Sequence, residues 1–427
     1  MAISYGKMVI IGAGKVGSAI LNSVLRMNIL DEIVVVNRNQ KKALGEVLDA
    51  SHTTAFAYSA NANIHVGGYE ECADAQIIVV TAGPSIQPGN SRDRMVLLEK
   101  NVNVMNDIME QITRYTREAI IIVVSNPLDI LTYIAQKKFD YPANKIFGTG
   151  TLLDTARFNK MLGDLCGVDA KNVTGFVLGE HGSTSFIPWN TVNSVGVPFS
   201  EFEKQFELKE KLDKEKLLHD TKVIGLDIVE LKGYTSSGVA LSACRLIGSI
   251  VRNEKSVVPV STVLSGQYGL TGVAMSLPCV ISKNGIDRVL ELPLDEQGKS
   301  DLQKCYEHLR TAIESVYTEA FNSFKKIGIE LDFGGVKKPQ GHLDYCMLVS
   351  TGADLCYQGR KLIGSAQFRK EGYILQHGSI LYDYDCQLLE KIFKENVDSS
   401  AVISLKEINP AISKQDIIQL LSNVNLS

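Results

Sequence analysis

Two short motifs hold side chains suited to moving a proton and seating a small anion. In Leu152-Leu153-Asp154-Thr155-Ala156-Arg157 the acid and the base lie three residues apart. On a helix they share a face, so one element offers a carboxylate beside a guanidinium. A guanidinium grips a carboxylate with two parallel bonds, which lysine cannot do. His181 stands in Leu178-Gly179-Glu180-His181-Gly182-Ser183, a glycine-flanked turn able to face a cleft. Imidazole is the side chain whose ordinary titration lies near neutrality, which suits a general base. The bland alternatives are an i,i+3 surface ion pair and a hydrogen-bonded core histidine.

Gly12-Ala13-Gly14-Lys15-Val16-Gly17 reads G-x-G-x-x-G, directly after a strand and opening a helix. In that context the turn seats a pyrophosphate on the helix N-terminus. Gly12 permits the tight turn, Gly14 lets the backbone approach phosphate, and Gly17 lets helix and strand pack closely. A glycine turn without a ligand is the alternative. Where an acidic residue ordinarily binds the ribose hydroxyls, the chain has Asn37 followed by Arg38. Asparagine bonds a hydroxyl without repelling a phosphate, and Arg38 could pair with a 2′-phosphate. NADP therefore stands beside NAD as a candidate, with a merely solvated Arg38 as the alternative. Lys15, Val16, Thr81, Ala82, Gly83 and Asn126 complete the cofactor candidates.

These motifs need a scaffold. Short apolar runs alternate with helical stretches: strands at Lys7–Ile11, Ile33–Val36, Ile64–Val66, Gln76–Thr81 and Ile120–Val124, helices at Ser18–Arg26 and Gln40–Asp49. The pattern predicts an α/β fold, a Rossmann-type doubly wound parallel sheet. After about residue 150 the rhythm changes to an α+β pattern. A helix is expected over Leu152–Leu162, hairpins over Val173–Pro198, and a long helix over His219–Arg252 broken near Lys232–Gly233. Another helix is expected over Leu302–Lys326. The expected division is 1–147, 148–314 and a small appended α+β segment, 315–427.

The 427 residues carry a net charge of −4, with 45% hydrophobic and 22% charged residues. That balance argues against a nucleic-acid partner. No apolar run approaches the roughly 18 residues that span a bilayer, so no membrane role is expected. The apolar residues from Met8 read as a first strand, not an export signal. Eight cysteines without a CxxC pair read as free thiols of a reducing compartment, so a cytoplasmic location and no metal site are expected.

Ser125-Asn126-Pro127, Gly148-Thr149-Gly150 with the Asp154 motif, the His181 motif and Lys232-Gly233-Tyr234-Thr235-Ser236-Ser237-Gly238 follow the glycine turn in order. From about residue 5 to 312 the chain resembles the L-lactate and malate dehydrogenase superfamily, most of all its L-2-hydroxyisocaproate dehydrogenase branch. The resemblance implies a homo-oligomeric (tetrameric or dimeric) oxidoreductase acting on a small 2-oxo or 2-hydroxy acid. His181 would be the base, Asp154 would hold its tautomer, and Arg157 would take the substrate carboxylate. Asn126 would bind the carboxamide or orient the substrate, and Thr235 would lie near both. Gly83 to Arg94 would form a mobile lid carrying a carbonyl-polarising arginine. Counting forward from Pro88-Gly89 selects Arg92. Counting back from the next helix selects Arg94, which is preferred because helix phase changes less readily than loop length. The position where malate enzymes bind a second carboxylate falls on Ile86 or Gln87. That favours pyruvate or branched 2-oxo acids over oxaloacetate. Ser183 departs from the family's usual Asp or Asn.

Beyond residue 315, Gly359–Gln367 and Leu375–Leu381 resemble lipoate–protein ligases and octanoyltransferases. Lys361 would match the acyl-contacting lysine. Cys346, eight residues before Asp354-Leu355, would match a nucleophile. Only the second half of that domain is represented, so no acyl transfer is expected. A docked appendage, a fusion remnant or a gene-assembly join are the readings for this segment. Lipoyl or octanoyl transfer and a silent nucleotide-binding module are the alternatives for the chain.

Overall fold

The computed structural model describes residues 6–56, 61–86, 88, 97–316, 329, 332–333, 355–358, 360–370, 373–380, 382–383 and 403–416. The chain forms two compact units, Met1–Ala312 and Ile313–Ser427.

The first unit opens with β1 (Lys7–Ile11), α1 (Lys15–Met27), β2 (Glu32–Val36), α2 (Gln40–His52), β3 (Asn63–Val66) and β4 (Ile77–Val80). It continues with α3 (Leu98–Tyr115), β5 (Ile120–Val123), α4 (Leu128–Lys137) and β6 (Ile146–Gly148). These strands are parallel and lie in the order β6-β5-β4-β1-β2-β3. Ile10 pairs with Val35 on one side and Val79 on the other. Strands buried on both faces need apolar side chains throughout, which is why they read as Val/Ile runs. The order reverses between β1 and β4, so a crevice opens beyond their carboxyl ends, where Gly12 and Thr81 follow. The first helix starts at Lys15 rather than Ser18, because Lys15-Val16-Gly17 already form its first turn.

Next come α5 (Leu152–Cys166), β7 (Val173–Thr174), β8 (Asn193–Ser194), β9 (Val197–Pro198), α6 (Phe202–Gln205), α7 (Lys214–Lys232) and α8 (Ser237–Val251). The expected hairpins shrink to three two-residue strands around a core of Phe158, Leu162, Val177 and Phe202, with Trp189 edge-on to Phe158. The expected break in the long helix is real. Gly233 ends α7 with φ +90°, a conformation glycine adopts without strain. On α8, Ala243, Ile247 and Ile250 share one buried cluster with Ile20 and Val24 of α1 and with β1.

Three strands absent from the sequence reading finish the sheet: β10 (Ser256–Ser265), β11 (Thr271–Ser282) and β12 (Gly285–Val289). They run antiparallel and join β6 through the pair Ser261 and Gly148, giving nine strands. Pro259 pairs with Pro278 inside this hairpin. Proline argues against an interior strand, and the facing pair hides the elements from a pattern reading. Helix α9 (Glu296–Val316) closes the unit and continues past Ala312.

In the second unit β13 (Asp332–Phe333), β14 (Leu355–Tyr357), β15 (Arg360–Lys370) and β16 (Tyr373–Ile380) form an antiparallel sheet in that order. Arg360 pairs with Glu407 at 2.5 Å. Lys361 lies on β15 opposite Cys356, whereas Cys346 and Asp354 fall outside the described residues.

Candidate active site

The glycine turn lies between β1 and the start of α1. Gly12 has φ +113°, and a Cβ there would meet Thr81 Oγ1 at 2.8 Å. A Cβ on Gly17 would stand 1.9 Å from the Gly12 carbonyl oxygen, so helix and strand touch there. Gly14 faces open space, with nothing within 4 Å of its missing Cβ. The first turn of α1 has neither a side-chain cap nor an acidic residue. Its N–H groups therefore face a side on which a pyrophosphate can approach the backbone. Thr81 donates its hydroxyl to the Gly12 carbonyl at 3.0 Å, tying the end of β4 to the turn.

Asn37 is placed differently from a simple ribose contact. Its Oδ1 accepts from the Ala13 N–H at 3.2 Å, and its Nδ2 donates to the Asn39 carbonyl at 2.9 Å. The side chain braces the turn and keeps its remaining lone pair and N–H for a ligand. Arg38 is exposed and forms no ion pair among the described residues. Lys15 lies over the Tyr234 ring at 5.0 Å, which joins the turn to the segment carrying Thr235. Thr235 itself is half-buried.

Between strand ends, Ser125 Oγ donates to the Ala82 carbonyl at 2.6 Å. Asn101 Nδ2 donates to the Asn126 carbonyl at 2.5 Å and to the Pro84 carbonyl at 3.1 Å. Gly83 has φ +130°, and a Cβ on it would strike Asn101 Oδ1 at 2.5 Å. Asn126 Oδ1 is buried without a partner among the described residues. An orphaned buried amide oxygen costs free energy unless a donor arrives. A carboxamide N–H is such a donor, so this position fits a nicotinamide. Val16 and Ala82 complete the described cofactor candidates, and both are half-buried.

Helix α5 brings three catalytic candidates together. Asp154 Oδ2 lies 2.6 Å from His181 Nδ1, and its Oδ1 accepts from Arg157 Nη1 at 3.1 Å. One carboxylate therefore orients both the imidazole and the guanidinium. All three side chains are largely buried, which strengthens the charge interactions among them. The helix start is pinned where it must be. The Thr151 hydroxyl donates to the Val177 carbonyl, and Thr155 Oγ1 accepts from the Val177 N–H at 2.9 Å. The His181 loop is anchored at its root by paired backbone bonds from Gly179 to Ser276 of β11, at 3.0 and 2.8 Å.

Residues that spacing alone does not reveal support this set. Asp129, at the start of α4, accepts from the His181 backbone N–H at 2.7 Å and from Ser261 Oγ at 2.6 Å. Burial pushes its carboxyl up to about 6, against the opposing pull of those bonds. Burial would also raise Glu180, but hydrogen bonds from His308 and from the Thr184 hydroxyl and N–H hold it at about 2. On α9, Cys305 Sγ donates to the Thr184 carbonyl at 2.8 Å, and burial pushes its thiol up to about 11. Gly225 of α7 leaves room for the Arg157 guanidinium. The Asn-Pro motif preceding Asp129 and the Glu180-His181 adjacency are the only local signals for these residues.

His181 opens onto a cavity of about 370 Å³. Leu128, Ile130, Val223, Leu226 and Leu309 give it an apolar wall, while His219, Lys222 and His308 contribute polar groups. Lys222 Nζ donates to the Ser183 carbonyl at 2.9 Å. Of the lid candidates, Ile86 is half-buried, and Gln87, Arg92 and Arg94 lie outside the described residues.

Comparisons with known proteins give the family of the first unit and a likeness for the second. Residues 6–148 match the lactate/malate dehydrogenase NAD binding domain, and 151–320 its alpha/beta C-terminal domain. Residues 289–424 match the lipoyl protein ligase A/B catalytic domain. The chain is 51% identical over 312 residues to L-lactate dehydrogenase 2 of Clostridium acetobutylicum, covering 73% of this chain and 98% of that protein. It is 42% identical to the L-lactate dehydrogenase of Selenomonas ruminantium, covering 72% and 97%. The ligand-bound crystal structure of the minor L-lactate dehydrogenase of Enterococcus mundtii superposes with a TM-score of 0.69 at 32% identity, covering 73% and 98%. By both of its dehydrogenase domains and by this likeness, the chain belongs to the lactate/malate dehydrogenase family.

Proposed function

We propose that the chain is an L-2-hydroxy acid dehydrogenase acting on 2-oxo monocarboxylic acids, pyruvate or a branched acid such as 2-oxoisocaproate. The observation that carries this reading is the single Asp154 carboxylate holding both His181 Nδ1 and Arg157 Nη1. Arg157 seats the substrate carboxylate in a two-pronged pair. That fixes C2 and its oxygen relative to His181. The nicotinamide, when bound, supplies or accepts the hydride at C2. In reduction His181 gives its Nε2 proton to the oxygen; in oxidation it takes that proton back. Asp154 keeps a proton on Nδ1 and stabilises the imidazolium. Arg94, or Arg92, is proposed to polarise the carbonyl when the lid closes.

For the cofactor, Gly12, Gly14 and Gly17 would shape the seat of the pyrophosphate, and the first turn of α1 would bond it. Asn126 would meet the carboxamide, and Thr81, Ala82 and Gly83 would line the crevice. NAD is the cofactor of this reading. The Asn37-Arg38 pair extends it to NADP, since no carboxylate stands there to repel a 2′-phosphate. The uncharged substrate side chain of this reading rests on Ile86 or Gln87 standing where malate enzymes bind a second carboxylate. A cytoplasmic homo-oligomer, tetramer or dimer, completes the reading. Leu44 and Leu48, one turn apart on α2, and Leu241 on α8 are exposed apolar surface that a second copy would cover. Among the described residues no helix is long and apolar enough to cross a membrane.

The test is loss of NADH absorbance with pyruvate, 2-oxoisocaproate and oxaloacetate. Turnover of either monocarboxylate, poor use of oxaloacetate, and loss of turnover in a folded His181→Ala variant are expected. A His181→Ala enzyme that keeps its turnover defeats the reading. Light scattering of the eluted protein gives the oligomeric state.

A further inference from the structure

We infer that Asp129 is a second carboxylate serving His181, a positioning residue that holds the histidine by its backbone while its charge sustains the imidazolium. The inference rests on the dehydrogenase reading above.

The geometry places one carboxylate on each side of the same residue. Asp154, from α5, takes the ring at Nδ1. Asp129, from α4, takes the backbone N–H at 2.7 Å through Oδ2. The other Asp129 oxygen accepts from Ser261 of β10 at 2.6 Å, so both oxygens are fixed. Two successive helices, α4 and α5, thus converge on His181 with a carboxylate each.

Holding a backbone N–H does not require a charge. An asparagine could present a carbonyl to His181 and an N–H to Ser261 in the same space. Yet the residue is an aspartate, 3% exposed, and burial works against its ionisation. Among the described residues no lysine or arginine bonds it. The groups facing it are Glu180 and His181 on the loop, Cys305 and His308 on α9, and His219 and Lys222 on α7. Glu180 is already engaged with His308 and Thr184, and Lys222 with Ser183. Of the basic groups around Asp129, His181 is the one it bonds, and the charge of the protonated ring draws the Asp129 carboxyl down against its burial. In a buried setting such a charge acts over several ångströms with little screening. The carboxylate therefore favours the protonated histidine that reduction of a 2-oxo acid consumes.

The experiment is Asp129→Asn in the full-length protein, read by NMR titration of the His181 ring, assigned against His181→Gln. The amide preserves both hydrogen bonds and removes only the charge. The His181 titration is expected to fall by about one pH unit. The alkaline limb of kcat/KM for pyruvate reduction should move down with it, while KM on the plateau stays put. A folded variant with an unmoved His181 titration overturns the inference, because a purely structural role survives the isosteric change. Should the amide fail to fold, Asp129→Ser removes the charge together with the hydrogen bonds, and an unmoved His181 titration in that variant overturns the inference as well. The NMR titration needs no turnover, so failure of the dehydrogenase reading in the wild-type assay stays separate from failure of this one.

Discussion

Gly225 stands against Arg157: a Cβ on this glycine would lie 3.0 Å from Nη1 and 3.2 Å from Nη2. The helix that walls the cavity thus reserves space for the guanidinium. Because Asp154 holds the other side of that group, Arg157 can move away only by bending its bond to Asp154. Gly225→Ala should raise KM for pyruvate about tenfold with a smaller change in kcat. The stability change should stay small, since alanine's advantage over glycine in a helix interior, about 1 kcal/mol, offsets the crowding of the guanidinium. Steady-state kinetics and thermal unfolding of one variant check both halves. An unchanged KM would show that Arg157 has room to yield.

Glu180 should make the dehydrogenase unit sensitive to acid. Its folded carboxyl lies at about 2 against an ordinary 4.5. A depressed carboxyl stabilises the fold above its unfolded value and loses that contribution as pH falls toward the folded value. Glu180→Gln should therefore cost about 2–3 kcal/mol at neutral pH. The gap to wild type should narrow between about pH 4.5 and pH 2. Urea unfolding at several pH values measures it, and a gap independent of pH would contradict the assignment.

Asp129 has the opposite sign. Its carboxyl is raised from 3.8 to about 6, so ionising it in place opposes folding. The penalty is absent below pH 3.8, grows between 3.8 and 6, and is complete above 6. Asp129→Asn should be more stable than wild type at neutral pH, by up to about 3 kcal/mol, and lose that advantage near pH 4. Denaturation midpoints of the two proteins across that range decide it. Greater stability alongside weaker catalysis is the pattern of a charge kept for function.

Asn37 offers a switch of cofactor preference. Asn37→Asp keeps an oxygen acceptor for the Ala13 N–H and adds a negative charge beside the ribose position. Turnover with NADPH should fall about tenfold relative to NADH, because a like charge facing a 2′-phosphate costs about 1.4 kcal/mol. The ratio of kcat/KM for the two cofactors is the measurement. An unmoved ratio would place the 2′ position away from residue 37.

The parallel half of the sheet was plain in the sequence because strands buried on both faces must be continuous Val/Ile runs, as in Ile77–Val80 and Ile120–Val123. The meeting of Asp154, Arg157 and His181 was legible too, since two of them share a helix turn and the third sits in a distinctive glycine-flanked loop. The hairpin of β10 and β11 was not, because Pro259 and Pro278 carry the local signature of turns while pairing inside strands. Asp129 and Gly225 were invisible for a different reason. Each acts through a contact distant in sequence, Asp129 with a backbone N–H 52 residues on. Nothing local marks an aspartate that bonds a remote loop or a glycine that vacates space for a remote guanidinium. The lid candidates Arg92 and Arg94 fall outside the described residues, so sequence phase alone separates them.

Helix α9 sets where this protein can be divided. The nine-stranded sheet is complete at Val289, yet Cys305 and His308, which buttress the His181 loop, lie beyond it on α9. Leu309 and Ile313 on the same helix are fully buried. A shortened dehydrogenase that stops where the sheet stops discards the support of its own catalytic loop. The cut belongs after Ala312, where the first unit ends within a helix that runs on to Val316.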